Sequence, residues 1–197
     1  MTERAVAGEE KRRQLLDASV RVFARKGFHA SRVGDIAEEA GVAHGLLYHY
    51  FKSKDEVLEA VFHDNWSLLL ARIAGVEETD EPAADQLRHI TAIVLRTWLH
   101  LPDVVRVVIR EFGRSPELAE RIGELAQPID SIARVIERGI ERGEFKSVDP
   151  RVAATVVYGS IDELLTAWVL DRLPSGEEDV AAAEQTLVEV SLRGLEK

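Results

Sequence analysis

Apolar residues recur every three to four positions along nearly the whole chain, the spacing that gathers them on one side of a helix. No stretch alternates in the manner of a strand, and no internal repeat appears in the 197 residues. Residues 1–8 read as a frayed tail. Leu16, Val20, Phe23 and Ala24 stripe a helix over 9–26, which Gly27 stops. Ser31 is the expected cap of a second helix that ends at Gly41, and Asp35 suits its positive first turn. A short third helix covers about 43–50. Ser53-Lys54-Asp55-Glu56 has the form of a capping box and opens a long fourth helix to about Gly75.

The segment 76–81, VEETDE, reads as a linker, with Pro82 in the first turn of the helix that follows. That helix runs to about Leu101, with Leu87, Ile90, Val94, Trp98 and Leu101 on one face. A short helix is expected at 103–113. Ser115-Pro116 opens another, striped by Ile129, Ile132, Ile136 and Ile140, which Pro128 kinks or splits and Gly143 ends. Asp149-Pro150 opens a helix to about Asp171, and Ser175-Gly176-Glu177-Glu178 caps the last one. The expectation is an all-α protein of about nine helices in two parts, a head at 1–52 and a body at 53–197.

Composition narrows the classes. There is no cysteine, so disulfides and thiolate metal sites are excluded. The start has no apolar signal region, and no uninterrupted apolar run approaches membrane-spanning length, which makes the cytoplasm the expected location. The net charge of −10 is unevenly spread. Residues 1–54 hold ten Lys+Arg against seven Asp+Glu, a net of +3, and the rest of the chain carries −13. Charges act on phosphate only over roughly 8 Å at physiological salt, so a mildly basic head on an acidic body can still hold DNA.

The head carries the sharpest pattern. Two short helices joined at Gly41 end in a basic, aromatic run, the layout of a helix-turn-helix whose second helix enters the major groove. The elements Gly27-Phe28, Asp35-Ile36-Ala37, Ala40-Gly41-Val42, Gly45, Leu47-Tyr48 and Tyr50-Phe51-Lys52-Ser53-Lys54 resemble, at their spacing, the N-terminal signature of the tetracycline-repressor (TetR) family of bacterial regulators. Ile36, Ala37, Ala40, Val42, Leu47 and Phe51 close a three-helix core with Phe23 and Phe28. That leaves Ser31, Arg32, His44, Gly45, Leu46, Tyr48, His49, Lys52 and Lys54 to face DNA. Arg32 and His44 are the candidates for base edges, and Tyr48, His49 and Lys54 for phosphates. The plain alternatives are a core aromatic at Tyr48, an idle surface imidazole at His49 and a solvated helix-start lysine at Lys54. Ala43 stands where the family has Ser or Thr, and His44 and Leu46 replace a frequent Lys and a frequent polar residue. Leu46 can instead meet a thymine methyl.

One such head reads only a few base pairs, so dimerisation on a palindromic operator is expected. Val152, Val156 and Gly159, with Leu187, Val188, Ser191, Leu192 and Leu195, form two apolar stripes interspersed with small residues. They suit either a dimer face or an internal helix pair. The resemblance favours the dimer, since the family's last two helices build a four-helix bundle. It also implies a small-molecule site in the body. Trp66, Leu70, Ile90, Val94, Trp98, Phe112, Tyr158 and Trp168 are the candidate walls, or simply core. The segments IREFGRSPELAERI and YGSIDELLTAWVL are similar to the fatty-acid-degradation repressors, a branch that responds to long-chain acyl-CoA. Arg106, Arg110 and Arg114, at helical spacing, are then candidates for phosphate or carboxylate, unless they pair with Asp103, Glu111 or Glu117. The effector is expected to be an acyl-CoA, a fatty acid or another hydrophobic compound.

The competing classes are weaker. The six histidines show no metal-binding spacing, and no phosphate loop, nucleotide fingerprint or serine elbow occurs, so no catalytic residue, metal or cofactor is expected. A helical ligand-binding or adaptor protein without specific DNA binding is the remaining rival.

Overall fold

The structure, a computed structural model, describes residues 3–112 and 126–196. The described residues form nine helices: α1 (Glu3–Lys26), α2 (Val33–Glu39), α3 (His44–Tyr50), α4 (Lys54–Glu77), α5 (Ala83–His100), α6 (Pro102–Phe112), α7 (Gln127–Glu141), α8 (Pro150–Val169) and α9 (Glu177–Leu195). No strand occurs among them, and one isolated antiparallel bridge joins Phe145 to Glu196.

Chain punctuation matches local chemistry at most boundaries. Gly27, Gly41 and Gly143 all take positive φ (80°, 63° and 75°) just after a helix, a region cheap for glycine alone. Ser53 Oγ accepts the Glu56 N–H at 3.1 Å and Asp149 accepts the Val152 N–H at 2.9 Å, each satisfying an orphan donor at a helix start. Pro128 and Pro150 sit in first turns, where a missing N–H costs nothing.

Three expectations shift. Residues 3–8 belong to α1 rather than to a frayed tail, consistent with the helix-forming Ala and Glu residues there. The cap of α2 is Arg32, with Asp35 accepting its N–H, and not Ser31. The cap of α9 is Gly176, whose N–H goes to Asp179, one residue later than the Ser175 register. The helix expected from Ser115-Pro116 lies outside the described residues up to Ala126.

Two cores result. The head core joins Leu15, Phe23, Ile36 and Leu47 to Val57 and Val61 of α4. The body core joins Ile73, Leu95, Ile132, Ile136, Ile161 and Trp168. Helix α6 divides between them: Val104 and Val107 pack into the head core, Val105 into the body core. By length and composition α8 could cross a membrane, with mean hydropathy 1.2, although Asp162 and Glu163 interrupt it. Its inner side, including Ala154, Val157, Ile161 and Trp168, is buried in the body core, while Val152 and Val156 on the outer side are 61% and 64% exposed.

Candidate nucleic-acid interface and effector cavity

Helix α3 is anchored by Leu47, which is fully buried, and by Phe51 just beyond its end. The anchor turns His44, Gly45, Tyr48 and His49 outward together. Tyr48 is 55% exposed, so it is no core aromatic. The His44 and Tyr48 rings meet edge to face at 6.2 Å, which aligns two polar tips on one ridge. Gly34, not singled out from the sequence, lets this happen: a Cβ there would stand 3.2 Å from His44 Cε1. Nothing within 4 Å would meet a Cβ at Gly45, so that surface is open to a close approach.

Most cations of the head are engaged. Arg21 and Arg25 both pair with Glu39, at 2.8 and 2.9 Å, and Lys26 with Asp35 at 2.8 Å. These bonds hold the Glu39 and Asp35 carboxyls below their ordinary pKa values, through Arg21 first for Glu39 and Lys26 first for Asp35. Arg32 and Lys52 are exposed, and neither side chain donates to a described residue. They flank the α3 ridge as available positive charge.

Three candidates take different positions from those expected. Ser31 is only 4% exposed, and its Oγ donates to the Phe28 carbonyl at 2.7 Å, so it shapes the α1–α2 turn from inside. Lys54 is half-buried; its Nζ donates to the Phe28 and Ser31 carbonyls at 2.6 and 2.9 Å and lies 4.3 Å from the Phe28 ring centroid. Its charge staples that turn instead of reaching outward. Leu46 is half-buried beside the ridge.

The body encloses a cavity of about 580 Å³ between α4, α5, α6 and α8. Trp66, Val94 and Tyr158, three of the expected wall residues, line it. Val105, Val108 and Ile109 of α6 supply one side, and Asn65, Thr97, Thr155 and Asp162 add polar groups. The remaining expectations need correction. Ile90 and Trp168 are each 1% exposed within the body core, and Trp98 packs on Trp168 at 6.2 Å while its indole N–H donates to the Ser175 carbonyl. Leu70 packs against Phe62 and Trp66 away from the cavity. Arg106 pairs with Asp103 at 2.9 Å and lies over the Trp98 ring, and Arg110 donates to the Ala24 carbonyl of α1 at 3.2 Å. Neither lines the cavity. The Phe112 side chain and Arg114 lie outside the described residues.

Tyr158 and Asp162 are one turn apart on α8 and both line the cavity. Burial pushes the Tyr158 phenol above its ordinary 10, and the Asp162 charge adds to this. Asp162 is exposed to solvent, yet its carboxyl is desolvated enough to rise above 3.8, with Glu163 beside it acting the same way.

Glu111, near the end of α6, bridges body and head. It is 6% exposed, its Oε1 accepts the Phe28 N–H at 3.2 Å, and its Oε2 lies 3.9 Å from His29 Nε2. In sequence its candidate partners were nearby arginines, because Phe28 is 83 residues away.

Along the outer side of α8 and α9 runs an apolar groove lined by Val156, Gly159, Ala167, Leu173, Ala182 and Val190. Val190 is 69% exposed, the most exposed large apolar residue described. Of the predicted α9 stripe, Leu187 and Ser191 also line this groove, and the rest turns inward. Leu187, Leu192 and Leu195 are 7%, 3% and 5% exposed in the chain's own core, and Val188 and Ser191 are half-buried.

Comparison with known proteins adds to this geometry. Residues 15–61 match the family model for bacterial regulatory proteins of the tetR family, and residues 80–195 match that for the tetracyclin repressor-like C-terminal domain. The fatty acid metabolism regulator protein of Bacillus subtilis is 28% identical over 190 residues, covering 92% of this chain and 94% of the relative. The transcriptional repressor KstR2 of Mycobacterium tuberculosis is 27% identical over 199 residues, covering 98% and 97%. The crystal structure of FadR from Bacillus subtilis in complex with stearoyl-CoA superposes with a TM-score of 0.81 at 29% identity, covering 92% of this chain and 97% of that one. FadR from Bacillus halodurans gives 0.79 at 27%, covering 92% and 98%.

Proposed function

Because this chain belongs to the TetR family of bacterial regulatory proteins and is a DNA-binding transcriptional regulator, we propose that it represses transcription as a cytoplasmic homodimer released from its operator by a long-chain acyl-CoA. Two heads, residues 1–52 of each protomer, set their α3 ridges in successive major grooves of a palindromic operator, about 34–36 Å apart. Arg32 and His44 read base edges, while Tyr48, His49 and Lys52 hold phosphates. The bodies, residues 53–197, join through the outer faces of α8 and α9. A protein partner there explains why α8 is apolar on both sides. The regulator works without a catalytic step.

One observation carries the effector reading. Helix α6 is at once part of the head core, through Val104 and Val107, and a wall of the cavity, through Val105, Val108 and Ile109. A chain filling the cavity presses on a helix whose far side the head rests on, and the Glu111–Phe28 bond transmits the shift. Interiors packed this tightly have discrete arrangements, so a small displacement selects between two head spacings. The Bacillus subtilis relative, with stearoyl-CoA in its crystal structure, supports the choice of ligand.

The test is fluorescence anisotropy on an operator obtained by selection from random duplexes, titrated with stearoyl-CoA, alongside sedimentation of the protein alone. Stearoyl-CoA should release the operator, and Val190→Glu should yield folded monomers that bind it far more weakly. Wild-type protein that sediments as a monomer at micromolar concentration, or an operator complex indifferent to saturating stearoyl-CoA, would refute the corresponding half.

A further inference from the structure

The cavity wall is one-sided in its charge. Among the described residues that line it there is no Lys or Arg, and there is one acid, Asp162. Neither Asp162 nor the Tyr158 hydroxyl makes a hydrogen bond to another described residue, although both line a mostly apolar space. Tyr158 is half-buried and Asp162 is exposed, so both oxygens are within reach of a ligand entering from solvent. Other polar side chains of the body are engaged. Gln86 donates to Val76 and Thr79 and accepts from Arg138, and Thr97 donates to Ile93.

We propose that Tyr158 and Asp162 are the specificity element of the effector cavity: they accept a hydrogen-bond-donating group, a hydroxyl or an ammonium, on the enclosed part of the ligand and turn away a carboxylate. This rests on the effector reading above and deepens it. The enclosed part of an acyl thioester is uncharged, so acyl-CoA is admitted, and a hydroxylated acyl chain is the class that fits best. A free fatty acid would bring its carboxylate beside Asp162, with Glu163 adjacent and no cation among the described wall residues to offset the repulsion. The pair stands at i and i+4 on α8, so the two oxygens address the same side of a ligand. The Tyr158 hydroxyl can donate as well as accept, which lets the pair hold a hydroxyl from two directions.

The experiment is isothermal calorimetry at pH 8 with decan-1-ol, decylamine, decanoate and stearoyl-CoA against wild type, Asp162→Asn and Tyr158→Phe. The three ten-carbon probes share one chain, and the cost of dehydrating a carboxylate is the same for every variant. The readout is therefore the alcohol-to-decanoate affinity ratio of each variant relative to wild type. Asp162→Asn should lower that ratio about tenfold, chiefly by strengthening decanoate, and should weaken decylamine. Tyr158→Phe should weaken decan-1-ol severalfold. Neither side chain supports the fold through a hydrogen bond, and unchanged ligand-free melting temperatures verify that the variants fold. Stearoyl-CoA binding accompanied by the same ratio in wild type and Asp162→Asn would overturn this inference alone. Failure of all four ligands, stearoyl-CoA included, to bind wild type would overturn the effector reading and this inference with it.

Discussion

Gly139 is the residue whose replacement has the most calculable result. It lies in the last turn of α7 and is buried. A Cβ added there would stand 2.4 Å from Phe145 Cδ2, 2.7 Å from Cε2 and 2.8 Å from the Ala83 Cβ. Carbon atoms in contact prefer about 3.5–4.0 Å, so the worst overlap exceeds 1 Å by that standard. Neither neighbour can yield by turning a flexible chain end. Phe145 is 1% exposed beside the bridge to Glu196, and Ala83, also 1% exposed, has no rotamer to change. The start of α5 must move away from α7, or the turn after α7 must open. That turn is itself tied down, since the Glu144 and Phe145 N–H groups both donate to the Gly139 carbonyl, at 2.9 and 3.1 Å. Overpacking of this kind costs about 1–3 kcal/mol. The gain in helix propensity from glycine to alanine offsets about 0.5–1 kcal/mol of it. Gly139→Ala should therefore destabilise by up to about 2.5 kcal/mol, a fall in melting temperature of up to about 10 °C for a chain of this size. Gly75→Ala is the control: it is exposed on α4, with nothing within 4 Å of the added Cβ, and should be neutral or slightly stabilising. Thermal melts are compared at equal protomer concentration, because association shifts the midpoint. An Gly139→Ala protein as stable as Gly75→Ala would refute the packing argument.

Two further substitutions test the electrostatics. Arg32→Ala should weaken operator binding and, if the guanidinium also neutralises a phosphate, reduce the slope of log affinity against log salt by about 1; an unchanged affinity across the salt series would remove Arg32 from the interface. Glu77 bonds to Arg134, which first and foremost holds its carboxyl below the ordinary 4.5, and Arg138 lies 3.6 Å away. A depressed folded-state value means that the pair's contribution is complete above pH 4.5 and fades as pH falls through that lower value. Glu77→Gln should thus cost about 0.5–1 kcal/mol near neutrality, a modest figure because Arg134 is half exposed, and the gap to wild type should close on acidification in urea melts. A gap that widens in acid would contradict the assignment.

What the sequence revealed and what it hid divide along a physical line. Local punctuation was legible: Gly27, Gly41 and Gly143 need positive φ, and Ser53 and Asp149 cap helices, because each effect depends on residues within one turn. The outward ridge of α3 was legible too, since removing Leu47 and Phe51 to the core leaves few alternatives. The partners of an apolar stripe were not. Leu187, Leu192 and Leu195 have the same periodicity whether they face their own core or a second protomer, and only the packing of α9 on α5 and α8 turns them inward. Trp98 and Trp168 read equally well as cavity wall or as core for the same reason. Lys54 and Ser31 were misplaced because their partners, the Phe28 and Ser31 carbonyls, are backbone groups that no side-chain pattern reports.

The double membership of α6 has a consequence for how such a regulator can change over generations. Val104 and Val107 sit in the head core one residue away from Val105 and Val108 on the cavity wall. A substitution on this helix that admits a new effector also alters the seat of the DNA-reading unit, so ligand preference and basal promoter occupancy cannot drift independently there. The walls contributed by α5 and α8, at Thr97, Thr155 and Thr166, have no such second attachment, whereas α4 shares it through Val57 and Val61. New inducer responses should accumulate on those walls, in natural lineages and in laboratory selections alike, while α6 stays comparatively fixed.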